Sequence, residues 1–254
     1  MTTVLKLGGS VVTEKDEPET VADERLANLA DAIGDAVAAD GASDSTVDDL
    51  VVVHGGGSFG HPNAAEHGVS STEGTQDPTA VREIAGAMER LNDAVVSALA
   101  GADVPAVPVH PFSAGHRDRD GDLTFPTGQI ATMLAEGFVP VLHGDVLAHA
   151  GAGATIVSGD ELVVRLAGDL AADRVGLCST VPGVLDENDD VIPEIAAYED
   201  VASVLGGSDA TDVTGGMAAK VRALLALDAP AHVFGPDALT AFLAGEPAGT
   251  RIEN

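Results

Sequence analysis

Val4-Leu5-Lys6-Leu7 passes straight into Gly8-Gly9-Ser10, and Leu50-Val51-Val52-Val53 passes into His54-Gly55-Gly56-Gly57. Each is a short strand-like run cut off by glycines, and segments with helical spacing follow. After Thr20 and Asp23, which signal a helix start, Leu26, Leu29, Ile33 and Val37 recur on one helical face. Val81, Ile84, Met88, Leu91, Val95 and Leu99 then form a long three-four stripe. Further strands are expected at 106–109, 139–142, 175–178 and 232–234, with helices at 127–135, 161–170 and 217–227. Strand and helix alternating in this way predict an α/β fold, a three-layer α/β/α sandwich around a central, mostly parallel sheet. The polar stretches 42–49 and 117–122 read as solvent loops, and no repeat or linker divides the chain. One domain over residues 1–254 is therefore expected.

Charge narrows the function. Forty-one Asp and Glu face 12 Lys and Arg, a formal net charge of −29 spread along all 254 residues. Generic attraction to a nucleic-acid backbone is excluded on that balance. A hydrophobic share of 45 % supplies a core, so a disordered acidic chain is excluded as well. The acid excess with scarce lysine resembles cytoplasmic proteins of salt-accumulating halophiles, in which molar cations screen the repulsion. Cys178 is the single cysteine, so no intramolecular disulfide or Cys-based zinc site is available. No apolar run is long enough to span a membrane, and the first residues enter a strand without a basic-then-apolar leader; a cytoplasmic protein is expected.

Lysine is the informative residue. Only Lys6, Lys15 and Lys220 occur, and each lies near a glycine-rich segment: Gly8-Gly9-Ser10 for the first two, Thr214-Gly215-Gly216 for the third. Ammonium groups beside glycine loops suit a polyphosphate, because the backbone can approach closely with its N–H donors while the lysine adds a point charge. The segment from His54 to His61, His-Gly-Gly-Gly-Ser-Phe-Gly-His, lacks the Gly-Lys-Ser/Thr ending of a P-loop. It also lacks the dinucleotide-binding fingerprint with its spaced acidic residue.

Taken in order, Lys6-Leu7-Gly8-Gly9-Ser10, the loop at 54–62 and Asp212-Val213-Thr214-Gly215-Gly216-Met217 before Lys220 resemble the amino acid kinase superfamily over nearly the full chain. Within it, His-Gly-Gly-Gly-Ser-Phe-Gly-His-Pro is similar to the archaeal isopentenyl phosphate kinases. The resemblance implies an ATP-dependent phosphotransferase that makes isopentenyl diphosphate for a mevalonate-type isoprenoid route, with Mg²⁺ bridging the ATP phosphates, no protein metal ligands assigned, and a homodimer. It implies ATP binding by Lys6, Leu7, Gly8, Gly9, Ser10, Gly57, Thr180, Gly183, Gly216 and Lys220. The acceptor phosphate falls to Gly56, His61 and Gly159. Lys15 is implied to steady transition-state charge, and Asp160 to orient the lysines. The N-terminal half would then hold the acceptor and the C-terminal half the nucleotide.

Bland readings stand beside these. His61 can cap a helix starting at Pro62, and Asp160 can cap the helix at 161–170. Ile84, Met88, Phe112 and Ile156 are candidates for an apolar tail pocket but equally for core. His67, His110, His116, His143, His149 and His232 have no metal-like spacing and read as structural or surface residues. Many family members have Thr-Asp-Val-Asp-Gly-Val beside the nucleotide, where this chain has Ser179-Thr180-Val181-Pro182-Gly183-Val184 without either acid. Rival readings are a kinase with another acceptor, a fosfomycin-like phosphonate or a nucleoside monophosphate, and a nucleotide sensor without turnover.

Overall fold

The computed structural model describes residues 1–38, 47–205 and 216–254. Positions 42–46 of the expected loop and Asp212 to Gly215 of the third glycine segment lie outside the described residues.

The strands are β1 Thr2–Leu7, β2 Asp49–His54, β3 Ala106–Pro108, β4 His116–Arg117, β5 Leu123–Thr124, β6 Val139–His143, β7 Asp145–His149, β8 Gly153–Val157, β9 Arg174–Cys178, β10 Glu194–Ile195, β11 Ala231–Phe234 and β12 Thr250–Ile252. Helices are α1 Gly9–Val12, α2 Asp23–Ala38, α3 Gly57–Glu66, α4 Pro78–Gly101, α5 Pro111–Ala114, α6 Gly128–Ala135, α7 Gly159–Asp169, α8 Ala202–Leu205, α9 Gly216–Leu225 and α10 Leu239–Leu243. The main sheet has the order β10-β12-β11-β9-β1-β2-β6-β3, and β11 with β12 is its antiparallel pair.

Period-two alternation explains how both faces are filled. Val4, Val51 and Val53 point into one core with Leu162, Val163 and Leu166 of α7, while Leu5, Leu7, Leu50 and Val52 point into the other with α2 and α4. The α4 stripe is buried as the spacing requires: Ile84, Met88, Leu91, Val95 and Leu99 are all closed to solvent. Its start is set by Pro78 at the first turn and by Asp77, whose side chain accepts from the Thr79 amide at 2.8 Å.

Strand β1 lies between β2 and β9, both parallel to it, so the chain leaves β1 toward one side of the sheet and returns later to the other. The carboxyl end of such a strand opens a crevice between loops that diverge, the place where ligands bind in open α/β sheets. Lys6 sits at that end.

Several expectations need correction. Thr20 does not cap α2, which begins at Asp23. A second, four-stranded sheet, β5-β4-β7-β8, was not foreseen; its strands are short and β7 follows β6 after only Gly144. Within the stretch expected as a solvent loop, Arg117 is 5 % exposed. Its guanidinium grips Glu161 with two bonds of 2.6 Å, tying the small sheet to the first turn of α7.

Candidate active site

One cavity of about 1020 Å³ opens over the carboxyl ends of β1, β2 and β9. All three lysines of the chain, Lys6, Lys15 and Lys220, line it. So do Gly8, Gly9, Ser10, Gly56, His61, Gly159, Asp160 and Thr180. Sequence positions more than 200 apart are thus brought to one wall.

The glycines at and beneath its floor are required by packing of loop on loop. A Cβ on Gly9 would stand 2.2 Å from the Gly57 amide nitrogen, and one on Gly55 2.6 Å from that of Gly9. Gly57 itself has φ of +48°, and a Cβ there would meet the Thr13 hydroxyl at 2.2 Å. Thr13 Oγ1 instead accepts from the Ser58 amide at 3.0 Å and donates to Gly9 O at 2.9 Å, clasping the two loops. Below them Met88 of α4 supports Gly56 and Gly60.

Asp160 is the electrostatic centre. Lys6 Nζ donates to its Oδ1 at 2.6 Å, and Lys220 Nζ approaches Oδ2 at 3.6 Å. Burial by itself pushes this carboxyl up, but the two ammonium groups and their hydrogen bonds outweigh it and hold the group below its ordinary value. Asp160 is therefore charged and fixes one lysine from β1 and one from α9. It is not the cap of α7: Ser158 takes that place, its hydroxyl accepting from the Glu161 amide at 3.1 Å. The amino end of α7, with Gly159 and Asp160, faces the same cavity.

His61 lies inside α3, not before its start, and is exposed at the cavity rim. Ile84, Met88, Ile156 and Val69 add apolar wall, whereas Phe112 stands outside the lining and is 38 % exposed. Leu7, Gly57, Gly183 and Gly216 also stand outside it. The Leu7 side chain is core, and Gly183 packs against Val191 and Thr250. Cys178 reaches the lining, but burial pushes its thiol up to about 12, so it supplies no thiolate nucleophile.

Sequence reasoning missed the buried polar layer under the floor. His54, His143 and Asp145 are at most 2 % exposed, and Asn92 is fully buried beside them. The register pairs His54 with His143 across β2 and β6, and the rings stack with centroids 5.5 Å apart. Desolvation drives the His54 imidazole down to about 4 and the His143 imidazole down to about 3, so both are neutral. Burial pushes the Asp145 carboxyl up to about 7 against the amides of Phe112 and Val146, which it accepts. His143 Nδ1 stands 3.8 Å from Asp145 Oδ2, but with the imidazole neutral this contact is no ion pair. Only the pairing of two strands reveals the layer, since 89 residues separate the histidines.

Among the described residues no group of three or more His, Cys, Asp or Glu is arranged for a metal ion, and no helix is long and apolar enough to cross a membrane.

Residues 1–229 match the amino acid kinase family. A protein of Haloferax volcanii named isopentenyl phosphate kinase is 66 % identical over 249 residues, 98 % of this chain and 97 % of that one. Its namesake in Methanocaldococcus jannaschii is 34 % identical, over 100 % of this chain and 99 % of that one. Among solved structures, one described as isopentenyl phosphate kinase superposes with a TM-score of 0.75 at 28 % identity, covering 99 % of this chain and 100 % of that chain.

Proposed function

The chain belongs to the amino acid kinase family, and from that premise we propose that it moves the γ-phosphoryl group of ATP onto the phosphate of isopentenyl phosphate, giving isopentenyl diphosphate and ADP for mevalonate-type isoprenoid synthesis. The observation that carries the reading is the convergence of all three lysines and His61 on one cavity, in a chain that otherwise avoids lysine.

In this reading the acceptor oxygen attacks the γ-phosphorus in line as the bond to the β-phosphate oxygen breaks, and ADP leaves. Lys6 and Lys15 face the transferred group, and Lys220 holds the ATP phosphates from α9. Asp160 keeps Lys6 and Lys220 aimed at a common point, a task its two contacts support. Catalysis then comes from position and charge, the terms that dominate phosphoryl transfer. His61, with the amides of Gly56 and Gly159, reads the acceptor phosphate, while Ile84, Met88 and Ile156 offer an apolar wall to its tail.

Mg²⁺ fits as a companion of the nucleotide. The three lining carboxylates have other duties, Asp160 to the lysines, Glu161 to Arg117 and Asp145 to the amides of Phe112 and Val146, and Mg²⁺ is commonly held through substrate phosphates and water. When bound it would supply positive charge against the negative charge of the ATP phosphates.

The division into an acceptor half and a nucleotide half, a homodimer, a cytoplasmic setting and adaptation to molar salt belong to the same proposal. The salt adaptation rests on the net charge of −29.

The test is ADP release in molar KCl with Mg²⁺ and ATP, offering isopentenyl phosphate, dimethylallyl phosphate, fosfomycin, UMP and glutamate in turn. Turnover confined to the isoprenoid monophosphates is the expected result. Turnover on fosfomycin or UMP instead reassigns the acceptor, and ATP binding with no turnover on any of them supports the sensor.

A further inference from the structure

We propose that the buried histidines His54 and His143 are positioning residues whose fixed Nδ1–H tautomers hold the peptides under the acceptor cradle, His54 turning the Gly56 N–H toward the cavity and His143 fixing Gly144 against Gly159. The inference rests on the reading of that cradle given above.

The hydrogen-bond directions follow from groups with no choice. Val141 O accepts only, so the Asn92 atom 3.3 Å from it is the amide nitrogen. That same nitrogen lies 3.1 Å from His54 Nε2, which must then present a lone pair. The proton of neutral His54 is left on Nδ1, 3.1 Å from Gly55 O, which again only accepts. The assignment even leaves Asn92 Oδ1 buried without a partner, so it is imposed by Val141 O rather than by the comfort of the amide.

His143 repeats the pattern on the next strand. Its Nδ1 is 2.9 Å from Gly144 O, so Nδ1 carries the proton and Nε2 accepts from His110 Nδ1 at 3.1 Å. Asp145 Oδ2, at 3.8 Å, is the more distant neighbour of that proton.

The consequence lies in the peptide plane. In a trans peptide the C=O and the following N–H point in opposite directions, and the described chain has no cis bond. With Gly55 O drawn down to the buried His54 ring, the Gly56 N–H is turned up into the cavity, beside His61. Glycine at both positions leaves no side chain to hold that plane, so the imidazole does it from below. Gly144, held by His143, packs against the amide of Gly159: a Cβ there would lie 3.3 Å from that nitrogen.

The experiment has two arms on the full-length enzyme. Two-bond ¹H–¹⁵N correlation of the histidine rings, assigned with single His→Asn variants, is expected to show neutral Nδ1–H forms for His54 and His143 between pH 6 and 8. An Nε2–H form at either ring overturns the proposal whatever the variants do. In the second arm, His54→Asn places an amide where Nδ1 stood and is expected to leave the KM for isopentenyl phosphate within a few-fold of wild type. His54→Gln moves the amide to the Nε2 position and is expected to raise that KM by ~10-fold with the KM for ATP unchanged. Equal effects of Asn and Gln, or parallel rises in both KM values, mean that His54 only fills space. Wild-type turnover on isopentenyl phosphate is the control: its absence refutes the acceptor assignment, and the ring spectra still decide the tautomers.

Discussion

On the N-terminal side of the cavity two loops meet backbone to backbone, with Gly9 and Gly55 each lying where any Cβ would strike the other loop. On the C-terminal side the corresponding reach is made by a side chain: Lys220 extends from α9 to Asp160 across 3.6 Å, against 2.6 Å for Lys6. Gly183 of that half faces the side chains of Val191 and Thr250, and the backbone-tight glycine there, Gly249, which lies outside the cavity lining, packs against Val233 O and Pro182 O. In the proposed reading the contrast separates two ways of holding a phosphate. The first is fixed when the sheet forms and tolerates no added atom, while the second depends on charge and side-chain length. A phosphoryl-transfer site gains from a rigid half that defines the line of attack and a more adjustable half that admits and releases nucleotide.

Three substitutions sharpen or break that contrast. Lys6→Ala, which removes one of the two lysines of the rigid half, is expected to lower kcat by ~10³-fold in a steady-state assay, as loss of a preorganised transition-state donor does. Gly9→Ala should cost ~10²-fold in kcat by displacing the loop at 54–57, together with ~1–3 kcal/mol of stability seen in chemical denaturation. Wild-type values in both measurements would show that the backbone contact is not limiting. Lys220→Ala should act mainly on the nucleotide, raising the KM for ATP by ~10-fold with a smaller loss in kcat; a kcat loss as deep as that of Lys6→Ala would erase the distinction between halves.

The smallest effect is on stability against pH. His54, His143 and His232 have depressed folded values, so what they contribute is complete above their ordinary value of 6.5 and is lost as the pH falls toward about 4 for His54 and about 3 for His143. Asp145, raised to about 7, acts in the opposite sense, contributing at low pH and losing that contribution as the pH rises through about 7. The histidines outnumber it, so the denaturation midpoint at constant salt should fall from pH 6.5 to pH 5, and His54→Asn should make the fall shallower. A midpoint that rises on acidification contradicts the buried neutral layer.

Much of this was legible in the sequence because it is local. The apolar runs at 4–7 and 50–53 needed only their own residues to announce buried strands, and the α4 stripe only its spacing. The three lysines were legible because composition made them rare. Three features were not, each for a physical reason. Arg117 looked like a surface charge among acids, since its partner Glu161 is 44 residues away. Gly9, Gly55 and Gly57 suggested closeness to a phosphate, while their stronger constraint is closeness to one another. His54 and His143 became a pair only through the β2–β6 register, which no spacing rule encodes.

The central claim, that one cavity reads two ligands with two differently built halves, is met most directly by calorimetric titration of His61→Ala and Lys220→Ala with isopentenyl phosphate and with a nonhydrolysable ATP analogue in molar KCl. The account predicts a crossed result, His61→Ala losing the isoprenoid phosphate and keeping the nucleotide, Lys220→Ala the reverse. Parallel losses of both ligands in either variant would contradict it.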